Sequence, residues 1–261
     1  MEKENGYEPL DPELSGGVFP IPVSVLRSVD STNTEARRRL LAGESAPFAI
    51  FAEEQTAGRG RMGRSFYSPK GTGIYLTLCF SAREGDLLFL TTAAAVAVHR
   101  AIESVTGLVV SIKWVNDLYY GGRKVSGILA ESLTLGDERY VILGVGVNLY
   151  TDEFPDELRE IAGGLSEAGA GLRNRLASAL LSELGSLMGE IDRSAYIKTY
   201  RTHSMILGQS VVYCENGRSR EGVAASIDEM GRLTVRHSDG SEKILASGEI
   251  SLRLNKQESE R

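Results

Sequence analysis

The sequence is poor in the residues that build disulfide scaffolds and metal centres. Cysteine occurs twice, at Cys79 and Cys214, and histidine three times, at His99, His203 and His237. Two cysteines far apart in apolar, strand-like runs form no disulfide framework. They predict a reducing compartment, with both thiols as small core residues. The histidines lack metal-ligand spacing and read as structural or exposed. Long apolar runs are also missing: the longest, Leu87 to Val98, is too short and too threonine-rich to span a bilayer. The opening MEKENGYEPLDPELSGG has no apolar centre, which excludes a signal peptide. Positive charge is not in excess, with 29 Lys and Arg against 35 Asp and Glu and a formal charge of −6. That balance argues against nonspecific binding to DNA or to an anionic membrane. The expectation is a cytoplasmic protein with no nucleic acid and no membrane among its partners.

What remains is ordinary for a soluble globular chain. Of 261 residues, 42% are hydrophobic and 25% charged, enough for a full core in one large domain or two smaller ones. Residues 1–22 carry Pro9, Pro12, Pro20 and Pro22 and read as an extended lead-in. A short strand is expected from Val23 to Val29. A helix follows in DSTNTEARRRLLAG, with Thr32 and Glu35 fitting a capping box and Gly43 a C-cap. Pro47 to Ala52 and Gly73 to Phe80 read as strands. Asp86 opens a long helix with an apolar face through Leu90, Ala94, Val98 and Ile102, ending near Gly107. Val109 to Trp114 reads as a strand, LYYGGRKVSGIL as a hairpin turning at Gly121-Gly122, and Tyr140 to Asn148 as a further strand. The Gly/Ala-rich stretch 160–171 reads as a connector, before helices near 172–191 and 194–201. From Gly208 the texture becomes short strands with turn signals at Asn216-Gly217, Met230-Gly231 and Asp239-Gly240. The layout predicts an α+β fold: a mixed sheet with helices over residues 23–205, then a small β-barrel over 206–256.

The segment TAGRGRMGRSFYSPKGTG spells G-x-G-x-x-G at Gly58, Gly60 and Gly63. A dinucleotide turn needs a helix directly after those glycines. Here Pro69 and two more glycines forbid one, and the next element is a strand. The residue types suit another task. Glycines admit a ligand close to the backbone, and Arg59, Arg61 and Arg64 bring forked donors for phosphate or carboxylate. An exposed, solvated loop is the plainer reading, but loops of this length are often functional.

A second cluster lies in KWVNDLYYGGRKVSGILAE. Lys113 stands beside Trp114 in an apolar strand, where a lysine is paired or working. Asn116 and Asp117 could make a turn, or Asp117 could hold magnesium or steer Lys113. Lys124 is on the returning strand, and Gly127 stands where a side chain would block anything lying against the sheet. Ser31, Thr32 and Asn33 form a third cluster, with at least one expected to cap the following helix and the rest able to bind a small polar ligand. Gln55, just before the loop, could join them.

These residues resemble the biotin protein ligases. The resembling segments are DSTN at Asp30 to Asn33, EEQTAGRGRMGR at Glu53 to Arg64, KWVNDLYYGGRKVSGILAE at Lys113 to Glu131, GVGVNL at Gly144 to Leu149, and GEISLR at Gly248 to Arg253. The resemblance implies a catalytic domain like that of class II aminoacyl-tRNA synthetases and a C-terminal SH3-like barrel. It implies biotin as substrate with ATP and magnesium as cofactors, activation to biotinyl-AMP with release of pyrophosphate, and transfer to a lysine of a biotin carboxyl carrier protein. Ser31, Thr32, Asn33, Gln55, Arg59, Gly60, Arg61, Lys124 and Gly127 are then the biotin side. Arg61, Arg64, Phe66, Lys113, Asn116, Asp117, Asn148 and Arg253 handle the nucleotide. Lys113, Arg61 and Asp117 are the catalytic candidates, and Asp117 is the candidate metal ligand. Phe66 stands where the family usually has tryptophan, and Val115 where it has proline. Family members are monomers or homodimers. Some also carry an N-terminal helix-turn-helix domain. The stretch before DSTN is shorter than an ordinary domain, so no specific DNA binding is expected. The nearest rivals are a lipoate ligase or octanoyl transferase, and a non-catalytic binding module.

Overall fold

The computed structural model describes residues 8–14, 21–81, 87–150, 154–165, 171–215, 217–248 and 250–252. Seven strands form one mixed sheet: β1 (Val23–Leu26), β2 (Phe48–Ala52), β3 (Gly73–Ser81), β4 (Ser111–Lys113), β5 (Asp117–Tyr120), β6 (Arg123–Leu135) and β7 (Glu138–Asn148). Their order is β1-β2-β3-β7-β6-β5-β4. Only β1 and β2 run parallel; every other neighbour is antiparallel. Gly121 and Gly122 turn the β5–β6 hairpin with φ of 56° and 78°, the paired positive angles such a two-residue turn requires.

The period of two along each strand sends alternate residues to opposite faces. On β2, Ala49 and Phe51 enter the large core, while Phe48 and Ile50 enter a small one. On β7, Val141, Leu143, Val145 and Val147 face the large core. That core is covered by α2 (Leu87–Thr106), α3 (Leu172–Gly185) and α4 (Arg193–Thr202), while α1 (Thr32–Leu41) covers the other face through Ala36 and Leu40. Each fully buried leucine, isoleucine or phenylalanine contributes roughly 1.5–3 kcal/mol over exposure, so the large face carries most of the stability. The α1 face is left free to build a site.

The long helix α2 runs from Leu87 to Thr106, close to the bounds its sequence predicts. At 20 residues with a mean hydropathy of 1.3, α2 has the length and apolarity of a bilayer span. Its residues from Phe89 to His99 are all buried within the protein, so core packing accounts for its composition. Cys79 is buried in β3, and burial pushes its thiol up to about 12. Cys214, expected in the core, is exposed. His99 is buried, with Nδ1 3.0 Å from the Val110 carbonyl oxygen and its ring against His203. Among the described residues no cluster of His, Cys, Asp and Glu could hold a metal ion.

Five further strands form a second, antiparallel sheet: β8 (Ser210–Glu215), β9 (Arg218–Ile227), β10 (Leu233–Arg236), β11 (Glu242–Leu245) and β12 (Ile250–Leu252), in the order β11-β10-β9-β8-β12. This is consistent with an SH3-like module. Its buried Val211, Tyr213, Ala224, Leu233, Val235 and Ile250 join the large core. Trp114 Nε1 donates to the Gly231 carbonyl oxygen at 2.9 Å, and Arg201 Nε to that of Ile227 at 2.6 Å. The module is therefore fastened beside the β4–β5 turn.

Two segments read as loose connections make specific contacts. In the stretch taken as lead-in, Leu10 and Leu14 are buried in the large core. In the stretch taken as a connector, Ile161 accepts a bond from the Lys124 amide at 2.8 Å, and the Gly163 amide donates to the Lys124 carbonyl at 3.0 Å. That places residues 161–163 as a short extension alongside β6.

Candidate active site

One cavity lies on the α1 face of the sheet, with about 920 Å³ of space, part of it open to solvent. Its walls hold Ser31, Thr32, Asn33, Gln55, Arg59, Gly60, Arg61, Arg64, Phe66, Lys113, Asn116, Asp117, Lys124 and Gly127. Three sequence clusters separated by up to about ninety positions thus converge. Asn148 does not join them: it closes β7, is buried, and its carbonyl accepts from the Leu165 amide at 3.1 Å. Arg253 lies outside the described residues.

The inner wall is a hydrogen-bonded row of uncharged groups. Ser31 is the N-cap of α1, with extended φ of −158°, but its side chain makes no capping bond. Thr32 is the first helical residue, and Glu35 turns to Arg38 and Arg39 rather than back to the cap. The capping box suggested by Thr32 and Glu35 is therefore absent. Gln55 performs that task from outside the helix, its Oε1 accepting from the Thr32 amide at 2.9 Å and from the Thr32 hydroxyl at 3.1 Å. Gln55 Nε2 donates to Ser68 Oγ at 2.9 Å. Thr77 on β3 lies 2.8 Å from Thr32 Oγ1 and 2.7 Å from Asn33 Oδ1. The helix does end as expected, because Gly43 takes φ of 90° and the Glu44 and Gly43 amides donate back to the Arg39 and Leu40 carbonyls at 2.9 and 3.0 Å.

The Gly-Arg segment folds back on itself. The Phe66 amide donates to the Gly58 carbonyl at 2.9 Å and the Gly60 amide to that of Arg64 at 2.7 Å. A Cβ at Gly58 would sit 2.3 Å from the Phe66 oxygen, so glycine is needed for this closure. Its tip, Met62, has φ of 55° and is exposed.

The cations of the cavity differ in how their charge is already met. Arg59 grips Glu131 through both nitrogens, each bond 3.1 Å. Lys124 Nζ is 2.7 Å from Asp117 Oδ1. Among the described residues Arg61 meets only a neutral acceptor, Asn116 Oδ1 at 3.1 Å. Lys113 stands directly across from Asp117 in the β4–β5 register. Among the described residues, though, no carboxylate comes within ion-pair distance of its ammonium, which lies 5.6 Å over the Tyr119 ring. Lys113 and Arg61 thus have charge left to offer an anion. The β4–β5 turn that follows Lys113 is held by the buried Tyr200 hydroxyl, which donates to the Val115 carbonyl at 3.1 Å.

Comparison with known proteins decides the family. The pattern of the Biotin/lipoate A/B protein ligase family matches residues 25–148, and that of the Biotin protein ligase C terminal domain matches residues 206–253. A bifunctional ligase/repressor of Escherichia coli is 31% identical over 252 residues, covering 92% of this chain and 76% of that relative. The chain belongs to the biotin protein ligase family. A biotin–[acetyl-CoA-carboxylase] ligase of Mycobacterium tuberculosis is 30% identical over 243 residues, 87% of this chain and 88% of that one. The biotin protein ligase of Aquifex aeolicus, solved in complex with biotin and ATP, superposes with a TM-score of 0.73 at 27% identity, covering 89% of this chain and 98% of that one.

In this biotin ligase the floor of the cavity is made by glycines that composition alone does not single out. Gly144 and Gly146 alternate on β7 and so share the α1 face. A Cβ at Gly144 would sit 2.2 Å from Asn33 Oδ1, and one at Gly146 would sit 2.4 Å from the Phe66 ring. Gly127 on β6 completes the floor, with a built Cβ 3.2 Å from Lys124 Nζ and 3.4 Å from Phe66. The Phe66 ring therefore stands on bare backbone. Gly144→Ala is expected to displace Asn33 at a cost of about 1–3 kcal/mol, lowering ligase activity roughly tenfold to a hundredfold with a smaller loss of thermal stability. Steady-state rates beside a melting curve check this, and parental activity would show that Asn33 need not sit where it does. Gly248 and Ile250 of the second module also line the cavity. Their signal was the GEISLR segment, in which Arg253 alone had been singled out.

Proposed function

We propose that the cavity joins biotin to ATP and then to a carrier protein. Biotin's fused ring lies against the uncharged row of Ser31, Thr32, Asn33 and Gln55, and its carboxylate points toward Arg61 and Lys113. The carboxylate oxygen attacks the α-phosphorus, the bond to the β-phosphate oxygen breaks, and pyrophosphate leaves, giving biotinyl-AMP. A lysine amine of a biotin carboxyl carrier protein then attacks the acyl carbon, AMP departs, and the amine proton is lost. Asp117 is the acid positioned to receive that proton, and Lys124 holds it in place.

The observation that carries this reading is the pairing pattern of the cations. Two anions must be brought together, and positive donors have to offset their repulsion and stabilise charge gathering on the phosphorus. Arg61 and Lys113, neither of which meets a carboxylate among the described residues, share the cavity with the polar row. Among the described residues Asp117 is the only acid lining it. A single carboxylate fits magnesium, which takes one or two protein carboxylates and otherwise water and phosphate oxygens. When bound there, the ion would neutralise phosphate charge.

The test is biotin-dependent exchange of labelled pyrophosphate into ATP, with transfer to a purified carrier domain as the second readout. Exchange is expected with biotin and not with lipoate. No exchange at saturating biotin and magnesium would overturn the assignment, and exchange with lipoate alone would move it to the lipoate branch of the family.

A further inference from the structure

Glu131 is absent from the cavity wall, yet it is the common endpoint of both structures that form the wall. Its Oε2 accepts from Arg59 NH1 at 3.1 Å and from Asn33 Nδ2 at 3.0 Å, and its Oε1 accepts from Arg59 NH2 at 3.1 Å. Arg37 NH2 approaches Oε1 at 3.9 Å. The Glu131 side chain is 18% exposed against 45% for Arg59, so the acid is the sheltered anchor and the arginine reaches to it from the loop. Both belong to one geometric plan, since Gly127, Leu129 and Glu131 alternate along β6 on the cavity face.

We infer that Glu131 is a positioning residue that latches the Gly-Arg loop and sets the hydrogen-bond sense of the polar row; this rests on the reading of the cavity as the biotin site. A carboxylate accepts only. Together with the Leu129 carbonyl, which accepts from the same Nδ2 at 3.2 Å, it turns the Asn33 amide so that Nδ2 faces it and Oδ1 faces Thr77. Thr77 has one hydroxyl proton, and an amide oxygen cannot donate, so that proton goes to Asn33. Thr77 Oγ1 is then left to accept from Thr32, whose hydroxyl chooses between it at 2.8 Å and Gln55 Oε1 at 3.1 Å. Glu131 thus helps to set the donors and acceptors that a small polar ligand meets. The same carboxylate occupies both prongs of Arg59. Arg59 accordingly closes the loop rather than supplying charge to the reacting anions, which separates its role from that of Arg61.

Glu131→Gln keeps the shape but replaces one acceptor oxygen by a donor, weakening the Arg59 grip and clashing in polarity with Arg59 or Asn33. Charge-assisted bonds of this kind make the expected effect about a tenfold rise in the biotin Kd and KM. The kcat and the KM for ATP should stay within about threefold, because Arg61 and Lys113 are untouched. Without any ligand, trypsin should cut the loop at Arg59, Arg61 or Arg64 several times faster in Glu131→Gln than in the parent. Arg59→Gln should show the same loop sensitivity with a smaller change in biotin Kd, since Asn33 keeps its anchor. If Glu131→Gln misfolds, as read by its melting curve, Arg59→Gln still tests the latch. Unchanged loop cleavage in Arg59→Gln overturns the latch, and an unchanged biotin Kd in folded Glu131→Gln overturns the orienting role. Because the cleavage assay contains no biotin, it reads the latch even if the protein fails to bind biotin, and a parent that binds none would sink the functional reading instead.

Discussion

Replacing Lys113 with glutamine is expected to lower biotin-dependent pyrophosphate exchange by two to three orders of magnitude while leaving the fold intact. Lys113 ends β4 in a half-buried position, directly opposite Asp117, whose carboxylate is occupied by Lys124. Its charge is therefore available to an incoming anion in a partly water-poor cavity, where a positive donor is worth more than in bulk solvent. Removing one such preorganised donor from developing charge typically costs about 2.7–4 kcal/mol. Arg61→Gln should behave similarly, because among the described residues Arg61 is held only by the neutral Asn116 oxygen. Arg59→Gln should spare kcat. The contrast among three basic residues of one cavity is the discriminating measurement. Lys113→Gln retaining more than about a tenth of the parental exchange rate would show that the charge pattern had been misread. Glutamine, about the length of the lysine stem to its third methylene, limits the packing loss on β4, so a melting temperature close to that of the parent is part of the expected result.

The sequence showed the parts of the site that consist of unusual residues in unusual places. Three arginines among glycines, and a lysine in an apolar strand, are costly unless used, and both clusters reached the cavity. It did not show the division of labour. Which arginine is neutralised depends on Glu131, seventy-two positions after Arg59 and brought opposite it only by the β2-β3-β7-β6 order of the sheet. The capping reading failed for a similar reason: local rules assign the α1 cap to a hydroxyl, whereas Gln55 reaches it from the end of a neighbouring strand. Gly144 and Gly146 lie in the GVGVNL segment, but only the packing of Asn33 and Phe66 against them reveals why a side chain is forbidden. Strand and helix boundaries on the large-core face followed the periodicity closely, because there burial against many apolar neighbours leaves one register. The lead-in and the connector were misjudged because each has few apolar residues. Leu10 and Leu14, and the backbone of residues 161–163, carry their contacts.

The largest loss of stability is expected from Arg173→Met, through an ion pair far from the reacting groups. Arg173 is fully buried on α3, and its NH1 lies 2.5 Å from Glu53 Oε2, itself only 7% exposed. The same guanidinium donates to the Gly73 carbonyl through Nε and to the Glu8 carbonyl through NH1, each at 2.9 Å. Glu53 Oε1 meanwhile accepts from the Leu10 amide at 2.6 Å. The pair thus fastens residues 8–14, the end of β2 and the start of β3 to one helix. Removing one member strands a buried charge, at about 3–5 kcal/mol, or roughly 10 °C in melting temperature for a chain of this size. The double replacement Glu53→Leu with Arg173→Met leaves no unpaired charge. It should therefore be less destabilised than the sum of the single variants, and a double-mutant cycle on melting data reads that difference. Strict additivity would mean that the two groups do not interact across the core. The consequence for the site is indirect. Glu53 precedes Gln55 by two residues, and the Glu53 amide donates to the Leu26 carbonyl at 2.8 Å. Loosening the clamp therefore frees the strand end from which Gln55 holds α1, and the biotin KM should rise with temperature in the single variants well before they unfold.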